Sequence, residues 1–401
     1  MYSEINKLMF KEKYMNKKAR VIAYYLPQYH PIPENDKWWG KGFTEWRNVA
    51  KAKPLFKGHD QPRVPADLGY YDLRMTEVRE EQARLAQDVG IEGFCYWHYW
   101  FGGGRELLER PFLEVLRSGK PDFPFCLGWA NHSWTNKTWT VGQKFVKDSM
   151  LMEQTYPGVD DYIIHFNKYL EAFKDDRYIK VDGKLLFVIF SPLQIPDAQC
   201  FVKTWNSLAK ENGLCGFHFV GITSNFEIHT SYYKKDEYKL NYSSVPAATF
   251  YNRVLDAGFD AVNSRGSNRA EIAVKSFGKY YFHKILSHFF NIDLVTKFDY
   301  ASINKFLYVE EDKWNNVYPT IIPNWDRSPR SGRKALIWYN STPELFYKQI
   351  LRALELLKNK PAEHKIIFLQ SWNEWGEGNY MEPDLTYGHG YLEALKKALE
   401  Y

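Results

Sequence analysis

Eight short apolar runs recur along the 401-residue chain, and stretches with helical character separate them. The runs cover residues 20–26, 91–97, 123–130, 185–190, 217–223, 259–263, 318–323 and 366–369. Each run has the length of one buried strand, and strands that alternate with helices are typical of parallel sheets. The alternation therefore predicts an α/β fold, and eight repeats of it predict a (β/α)8 TIM barrel.

The domain organisation follows from the same pattern, because no repeat, linker or low-complexity stretch divides it. We predict a basic tail at residues 1–18 and a single catalytic barrel at residues 19–401. Helices are expected at residues 76–89, 106–117, 160–173 and 201–212, after a start signal at residues 341–344, and from about residue 391. Between the sixth and seventh strands, residues 264–316 form a predicted insertion. Its aromatic and basic part, KSFGKYYFHKILSHFFNIDLV, suits a helical lid or an interaction surface, and a core helix is the alternative.

The eighth run, residues 366–369, leads directly into a turn that carries two carboxylates. The sequence there is QSWNEWGEGNYMEPD, so that Glu374 and Glu377 lie three residues apart, with glycines at positions 376 and 378. Catalytic residues of barrel enzymes lie at the carboxyl ends of the strands. Apolar neighbours can raise the pKa of one carboxyl so that it holds a proton near neutral pH. The pair therefore predicts acid–base catalysis, and the alternative is an acidic, solvated helix start.

Aromatic and polar residues also accumulate at the ends of the other runs. Sugar rings present flat C–H faces, so a chain with 17% aromatic residues suits a carbohydrate ligand. The predicted substrate-binding residues are Tyr29, Trp46, Trp97, His98, Trp129, Asn131, His132, Trp325, Asn373 and Trp375. We expect six of them (Tyr29, Trp97, His98, Trp129, Asn131 and Trp325) to face one cavity together with Glu374 and Glu377. For single rings in the loop after the first strand, packing in a small core at the barrel mouth is the alternative.

Several other classes of function are disfavoured by composition and motifs. A net charge of +5, from 53 basic and 48 acidic residues, is too balanced for a nucleic-acid-binding protein. Four cysteines without a Cys-x-x-Cys pair indicate reduced thiols, and His98 and His132 lack a third ligand at fitting spacing, so we predict neither a metal site nor a cofactor. No run is long enough to span a membrane and no signal peptide is present, which predicts a cytoplasmic location. Contact of the basic tail with an anionic membrane surface stays open, and the sequence does not indicate an oligomeric state.

Four long motifs resemble one known group of carbohydrate-active proteins. They are AYYLPQYHPIPENDKWWGKGFTEW from residue 23, GIEGFCYWHYWFGGGRELLERP from residue 90, FCLGWANHSWT from residue 125, and WNEWGEG followed by MEP from residue 372. They resemble the motifs of glycoside hydrolase family 99 and, more closely, those of the WbsX-like proteins of lipopolysaccharide and capsule biosynthesis. The resemblance to family 99 implies cleavage of an internal glycosidic bond with retention. It implies that Glu374 is the base that assists attack by the sugar O2, through a transient 1,2-anhydro sugar, and that Glu377 is the acid/base. Many family 99 members carry a bulkier residue where this chain has Gly376.

Three functions remain open from the sequence. The first is a glycoside hydrolase that acts on bacterial surface polysaccharide such as O-antigen or capsule, with two Glu residues. The second is a glycosyltransferase of lipopolysaccharide or capsule biosynthesis, the activity with which WbsX-like proteins are commonly associated. It would need cations for a diphosphate, and Arg327, Arg330 and Arg333 could supply them. The third is a non-catalytic glycan-binding barrel, which would not need both carboxylates.

Overall fold

The computed structural model describes residues 18–136, 149–223, 246–275 and 295–400, and eight parallel strands in these ranges form the centre of the molecule. They are β1 (Arg20–Tyr25), β2 (Ile91–Trp100), β3 (Phe125–Trp129), β4 (Lys184–Ile189), β5 (Phe217–Thr223), β6 (Ala261–Ser264), β7 (Val317–Ile321) and β8 (Ile366–Leu369). Nearly all of their residues are buried, because strands covered by helices outside and side chains inside have no solvated face.

The sheet closes on itself through β1, which pairs with β2 on one side and with β8 on the other. Ala23 lies opposite Phe94 of β2 and opposite Leu369 of β8, and both pairings are parallel. Each remaining strand pairs with its neighbour in chain order up to β6, and β7 lies between β6 and β8. The predicted (β/α)8 barrel is therefore confirmed.

Helices follow the strands around the barrel, with bounds that differ in places from the predicted ones. Within the described ranges the α-helices are Pro33–Trp39, Trp46–Lys51, Thr76–Asp88, Arg110–Ser118, Val159–Lys168, Leu170–Lys174, Ala198–Glu211, Ala247–Asp256, Ser267–Val274, Tyr300–Asn304, Ser328–Ser331, Pro343–Leu357 and Gly390–Glu400. The predicted helix 106–117 is wrong at its start, because Glu106 and Leu107 pair back onto the end of β2. The helix begins only at Arg110, where Pro111 fits the first turn and restricts the residue before it. The predicted loop after β1 contains two short helices, of which Pro33–Trp39 also starts with proline.

Stacked aromatic rings fill the barrel near its carboxyl end and form the floor of the site. Tyr24 stacks between Trp97 and Phe368, with ring centroids 4.6 and 5.2 Å apart, and its hydroxyl donates a hydrogen bond of 2.8 Å to Asn263 Oδ1. Trp97 lies flat across Gly128, where an added Cβ would come within 2.9 Å of the indole. The glycine thus lets a large ring lie across the barrel wall and face inward.

A second, small sheet lies beside β7. It joins Thr296–Asp299, Leu336–Tyr339 and Trp325–Asp326, and it packs around the buried side chains of Trp325 and Trp338. The first of these strands belongs to the predicted insertion at residues 264–316, as do the helices Ser267–Val274 and Tyr300–Asn304. Of the aromatic and basic segment 275–295, only the two end residues are among those described, and most of the tail 1–18 also lies outside them. In the described ranges, no helix combines the length and apolar character needed to cross a bilayer.

Candidate active site

The turn after β8 carries the two predicted catalytic carboxylates at the carboxyl end of the barrel. Asn373–Glu374 pairs antiparallel with Asn379–Tyr380, and a short 3-10 turn at Trp375–Glu377 connects them. Gly378 closes this turn with φ +62°, a left-handed conformation that favours glycine. Glu374 and Glu377 are therefore held on one tight turn, as the sequence predicts.

Buried tryptophans anchor this turn from behind. Trp375 is 1% exposed, stacks on Tyr380 with centroids 3.7 Å apart, and donates from Nε1 to Glu382 Oε2 at 2.6 Å. Glu382 also accepts hydrogen bonds from the Tyr71 hydroxyl and from Gln82 Nε2, at 2.9 and 2.6 Å. Burial raises the pKa of Glu382 to about 7 despite these donors. This network fixes the orientation of the turn.

Hydrogen bonds of two further residues tie the turn to the segment that follows β1. The Asn373 amide accepts from the Leu26 N–H at 2.8 Å and donates to the Leu26 carbonyl at 3.0 Å. The Tyr29 hydroxyl donates to the Asn373 carbonyl at 2.8 Å and accepts from the Trp375 N–H at 3.0 Å. Asn373, Tyr29 and Trp375 are thus buried groups that position the carboxylates.

One arginine joins the carboxylates of the site. Arg330, from the short helix Ser328–Ser331 after β7, donates from Nη2 to Glu374 Oε1 at 2.6 Å and from Nη1 to Glu377 Oε1 at 2.7 Å. A third carboxylate, Glu45, is fully buried and accepts from Arg330 Nη2 at 2.6 Å and from Nε at 3.1 Å. Arg327 adds an ion pair with Glu377 at 3.3 Å. Glu374 and Glu377 are therefore separated by no more than two hydrogen bonds and the width of one guanidinium group.

The environment separates the pKa values of the two carboxyls. Burial, with the nearby charges of Glu377 and Glu45, raises the pKa of Glu374 to about 8 against the pull of Arg330. Burial acts on Glu377 in the same direction, but Arg327, Arg330 and Arg265 outweigh it and hold the pKa of Glu377 below its ordinary value. Near neutral pH, these opposite shifts favour a proton on Glu374 and an ionised Glu377, which is an arrangement suited to acid–base catalysis. It is opposite to the order of roles that the resemblance to family 99 implies.

A cavity of about 460 Å³ opens above the carboxylates. Five of the twelve predicted site residues line it: Trp97, His132, Trp325, Glu374 and Glu377. Tyr24, Tyr99 and Phe190 add aromatic surface, and Gln28, Gln370, Ser371 and Asn379 add hydrogen-bonding groups. Burial lowers the pKa of His132 to about 4, so its ring is neutral. Within the described ranges, no group of three or more His, Cys, Asp or Glu residues is placed to hold a metal ion.

The expectation that four residues face the cavity is wrong: Tyr29, His98, Trp129 and Asn131 do not line it. The side chain of each is bound by other groups of the protein; Tyr29, for example, binds the backbone of the carboxylate turn. His98 Nε2 lies 2.8 Å from His165 Nε2, and burial lowers the pKa of His98 to about 3. Trp129 donates to the Trp100 carbonyl, and Asn131 exchanges hydrogen bonds with the backbone of Ser191. Trp46, Asn373 and Trp375 are also absent from the lining. Trp46 donates instead to the Tyr71 carbonyl at 2.7 Å. These residues lie near or after the ends of strands, but their side chains point to the helical layer or into the turn.

Two site residues were not singled out by the sequence patterns. Glu45 lies in the aromatic loop after β1, 285 positions before its partner Arg330, so no local spacing relates them. Arg265 directly follows β6 and lines the cavity. A charged residue one position beyond a barrel strand was the available signal for Arg265. Of the three arginines considered for a diphosphate, Arg327 and Arg330 line the cavity, whereas Arg333 is exposed outside it.

Gly376 lies in the turn directly against the side chains of Glu45 and Arg330. An added Cβ would lie 2.4 Å from Glu45 Oε2 and 2.8 Å from Arg330 Nε. We therefore expect Gly376→Ala to displace the Glu45–Arg330 contact and to lower kcat at least about tenfold, since small misplacements at a reacting centre cost that much or more. Gly388→Ala is a control for a glycine whose Cβ would meet nothing within 4 Å, although its φ of +53° adds backbone strain. Wild-type turnover by Gly376→Ala would contradict a tightly fitted cluster.

The fold and site define a TIM barrel with paired carboxylates at its mouth, and two solved structures share this fold. A glycoside hydrolase-like protein matches with a TM-score of 0.52 and 15% identity, over 96% of this chain and 94% of that chain. The GH99 endo-alpha-mannosidase from Bacteroides thetaiotaomicron matches with a TM-score of 0.51 and 14% identity, over 95% and 96% of the two chains. At these identities the likeness concerns the fold alone.

Residues 21–395 match the family model described as Glycosyltransferase WbsX, and the chain belongs to that family. The proteins called WxcX from two strains of Xanthomonas campestris pv. campestris, which are uncharacterised, are 32% identical over 388 residues. That alignment covers 95% of this chain and 50% of each relative, so the chain spans about half the length of these relatives. The protein is thus a member of the WbsX family, with a barrel of the fold seen in the GH99 endo-alpha-mannosidase.

Proposed function

We propose that this protein is a glycoside hydrolase that cleaves an internal bond of a bacterial surface polysaccharide, with Glu374 and Glu377 as its proton-transfer pair. The observation that carries the proposal is the placement of two carboxyls on one turn that faces an aromatic, polar cavity, in surroundings that shift their pKa values in opposite directions. One carboxyl with a proton and one without it can protonate a leaving oxygen and accept a proton from a nucleophile. A glycan-binding barrel without activity has no need of such a pair.

The cavity walls support a sugar substrate. Trp97 and Trp325 line it together with Tyr99 and Phe190, and ring faces of this kind suit the C–H faces of sugars. Gln28, Gln370 and Asn379 are amide side chains that can donate to and accept from hydroxyl groups. The Gln28 Nε2 and Gln370 Oε1 atoms are buried without a hydrogen-bond partner among the described residues, so sugar hydroxyls can satisfy them.

A glycosyltransferase is the second candidate, and the family description and the arginines favour it. Arg265, Arg327 and Arg330 all line the cavity, and guanidinium groups bind phosphates. Arg330 and Arg327, however, are already engaged by Glu374, Glu377 and Glu45, so a diphosphate would have to compete with these carboxylates.

One experiment separates the two candidates. Purified protein is incubated with bacterial O-antigen and capsular polysaccharides, and in parallel with nucleotide sugars and an oligosaccharide acceptor. Hydrolase action gives new reducing ends without any nucleotide, whereas transfer releases a nucleoside diphosphate. Release of the nucleotide with no new reducing ends would overturn the hydrolase proposal.

The pH dependence of kcat/KM should be bell-shaped, because the pair is active with one proton. As pH rises through about 8, the proton held by Glu374 is lost and the rate falls. As pH falls below the ordinary carboxyl range, Glu377 gains a proton and the rate falls again, since its pKa is lowered. The two apparent pKa values of this profile belong to the coupled pair and not to either residue alone. Rates that stay constant from pH 7 to 10 would contradict a protonated Glu374.

A further inference from the structure

The three arginines that line the cavity differ in whether a carboxylate pairs with them. Arg330 contacts Glu45, Glu374 and Glu377, and Arg327 contacts Glu377. Among the described residues, Arg265 has no carboxylate within ion-pair distance.

The Arg265 guanidinium lies beside two aromatic rings. Its central carbon lies 5.6 Å from the ring centroid of Phe190 and 5.8 Å from that of Trp325. Its Nε is buried and has no hydrogen-bond partner within the described part of the chain. An unmade hydrogen bond on a buried, charged group is unfavourable. An anionic ligand in the cavity would supply the missing acceptor.

The charged groups around Arg265 allow a further negative charge to bind beside it. Glu377 and Glu271 attract it and Arg327 repels it. Glu271 accepts a hydrogen bond from Trp338 Nε1 at 3.0 Å, and burial raises its pKa to about 7, so it is only partly ionised near neutral pH. The helix Ser267–Val274 begins beside Arg265 and lines the same cavity with its first two residues, which adds the positive end of its dipole.

We propose that Arg265 forms an anion subsite in the cavity and that this subsite binds the carboxylate of an acidic sugar unit in the substrate. The inference rests on the proposed hydrolase function and deepens it by giving the class of substrate. A planar guanidinium matches a carboxylate with two parallel hydrogen bonds. One unpaired guanidinium balances the single charge of a uronate, whereas the diphosphate of a nucleotide sugar carries more than one charge. The carboxylate is therefore the better match.

Calorimetric titration of the intact protein tests the subsite without turnover. The probes are methyl glucuronide and methyl galacturonide, the neutral methyl glucoside and methyl galactoside, and inorganic pyrophosphate. Wild-type protein should bind the better uronide roughly 10- to 100-fold more tightly than its neutral counterpart, the range expected for charge-assisted hydrogen bonds. Arg265→Met keeps an apolar stem between the two rings and should abolish this preference. Arg265→Lys should keep a reduced preference, because lysine keeps the positive charge but cannot make the two parallel hydrogen bonds of a guanidinium.

Arg333→Met is the matched control, since Arg333 is an exposed arginine outside the cavity and its loss should leave the preference intact. Equal binding of uronides and neutral glycosides by the wild type, or a preference that survives in Arg265→Met, would overturn the proposal. So would pyrophosphate binding that exceeds uronide binding and depends on Arg265, which would instead indicate a nucleotide sugar. Hydrolysis of neutral glycans with no preference for acidic probes would remove this inference alone. An acidic preference without any hydrolysis would remove only the proposed function.

Discussion

Glu374→Gln and Glu377→Gln should each lower kcat on an oligosaccharide substrate by about 10²- to 10⁴-fold, or roughly 3–5 kcal/mol of barrier. Each change removes a proton-transfer group from the turn after β8 and keeps an amide oxygen that can still accept from Arg330. The fold should therefore persist, and circular dichroism with thermal unfolding checks this. Initial rates from reducing-end release give the kinetic effect.

The control for this pair is Glu310→Gln, in a solvated 3-10 turn where the Glu310 side chain is 84% exposed and pairs with Lys313. A surface change of this kind should alter stability by less than about 0.5 kcal/mol and leave kcat unchanged. Near wild-type hydrolysis by both Glu374→Gln and Glu377→Gln would end the hydrolase proposal.

Aryl glycosides with activated leaving groups then assign the two roles, because such groups need little protonation. The variant that is partly spared on these substrates has lost the general acid. The protonation of the ligand-free site favours Glu374 as that acid, whereas the resemblance to family 99 implies Glu377. A substrate with fluorine in place of its 2-hydroxyl should be inert if O2 is the internal nucleophile.

Arg330→Met is expected to destabilise the protein by about 3–5 kcal/mol at pH 8 and to abolish measurable activity. The variant leaves the buried Glu45 without a charged partner among the described residues, and removal of one member of a buried ion pair has this cost. The loss should shrink as pH falls, because burial raises the pKa of Glu45 and a carboxyl without its arginine takes up a proton more readily. Urea unfolding at pH 5 and pH 8 measures both effects.

Arg333→Met again serves as the matched control and should unfold like the wild type at both pH values. Equal stability of Arg330→Met and wild type at pH 8 would show that Arg330 is not needed to hold the three carboxylates. A larger loss at pH 5 than at pH 8 would contradict ionised partners, because protonated carboxyls gain less from the arginine.

The barrel could be predicted from the sequence because each strand is a separate apolar run and each run is buried on both faces. The strand β5 has the predicted bounds, and β8 does too. The predicted start of the helix at residues 106–117 was wrong. The charged and apolar residues have helical spacing from Glu106 onward, but Pro111 fixes the first turn of the helix at Arg110. The two short helices after β1 were missed since six or seven residues give too little periodicity to detect.

The carboxylate turn could also be predicted, because Glu374 and Glu377 are neighbours on one segment. The wall of the cavity was harder to predict, since a residue near the end of a strand can point inward, as Trp97 does, or outward, as Trp129 does. The alternation of side chains within the strand decides this, and an irregular strand end hides it. The Glu45–Arg330 contact depends on the closed barrel and has no trace in local spacing.

The pairing of β1 with both β2 and β8 has a consequence for how the molecule is made. On the ribosome, β1 to β7 are complete before residues 366–369 exist, so β1 and β7 have unpaired edges that can join with another chain. The segment that seals these edges also carries Glu374 and Glu377, and its Asn373 binds the end of β1. Closure of the sheet and assembly of the carboxylate pair are thus one event in biosynthesis, so the candidate site forms only when the edges of the barrel are protected.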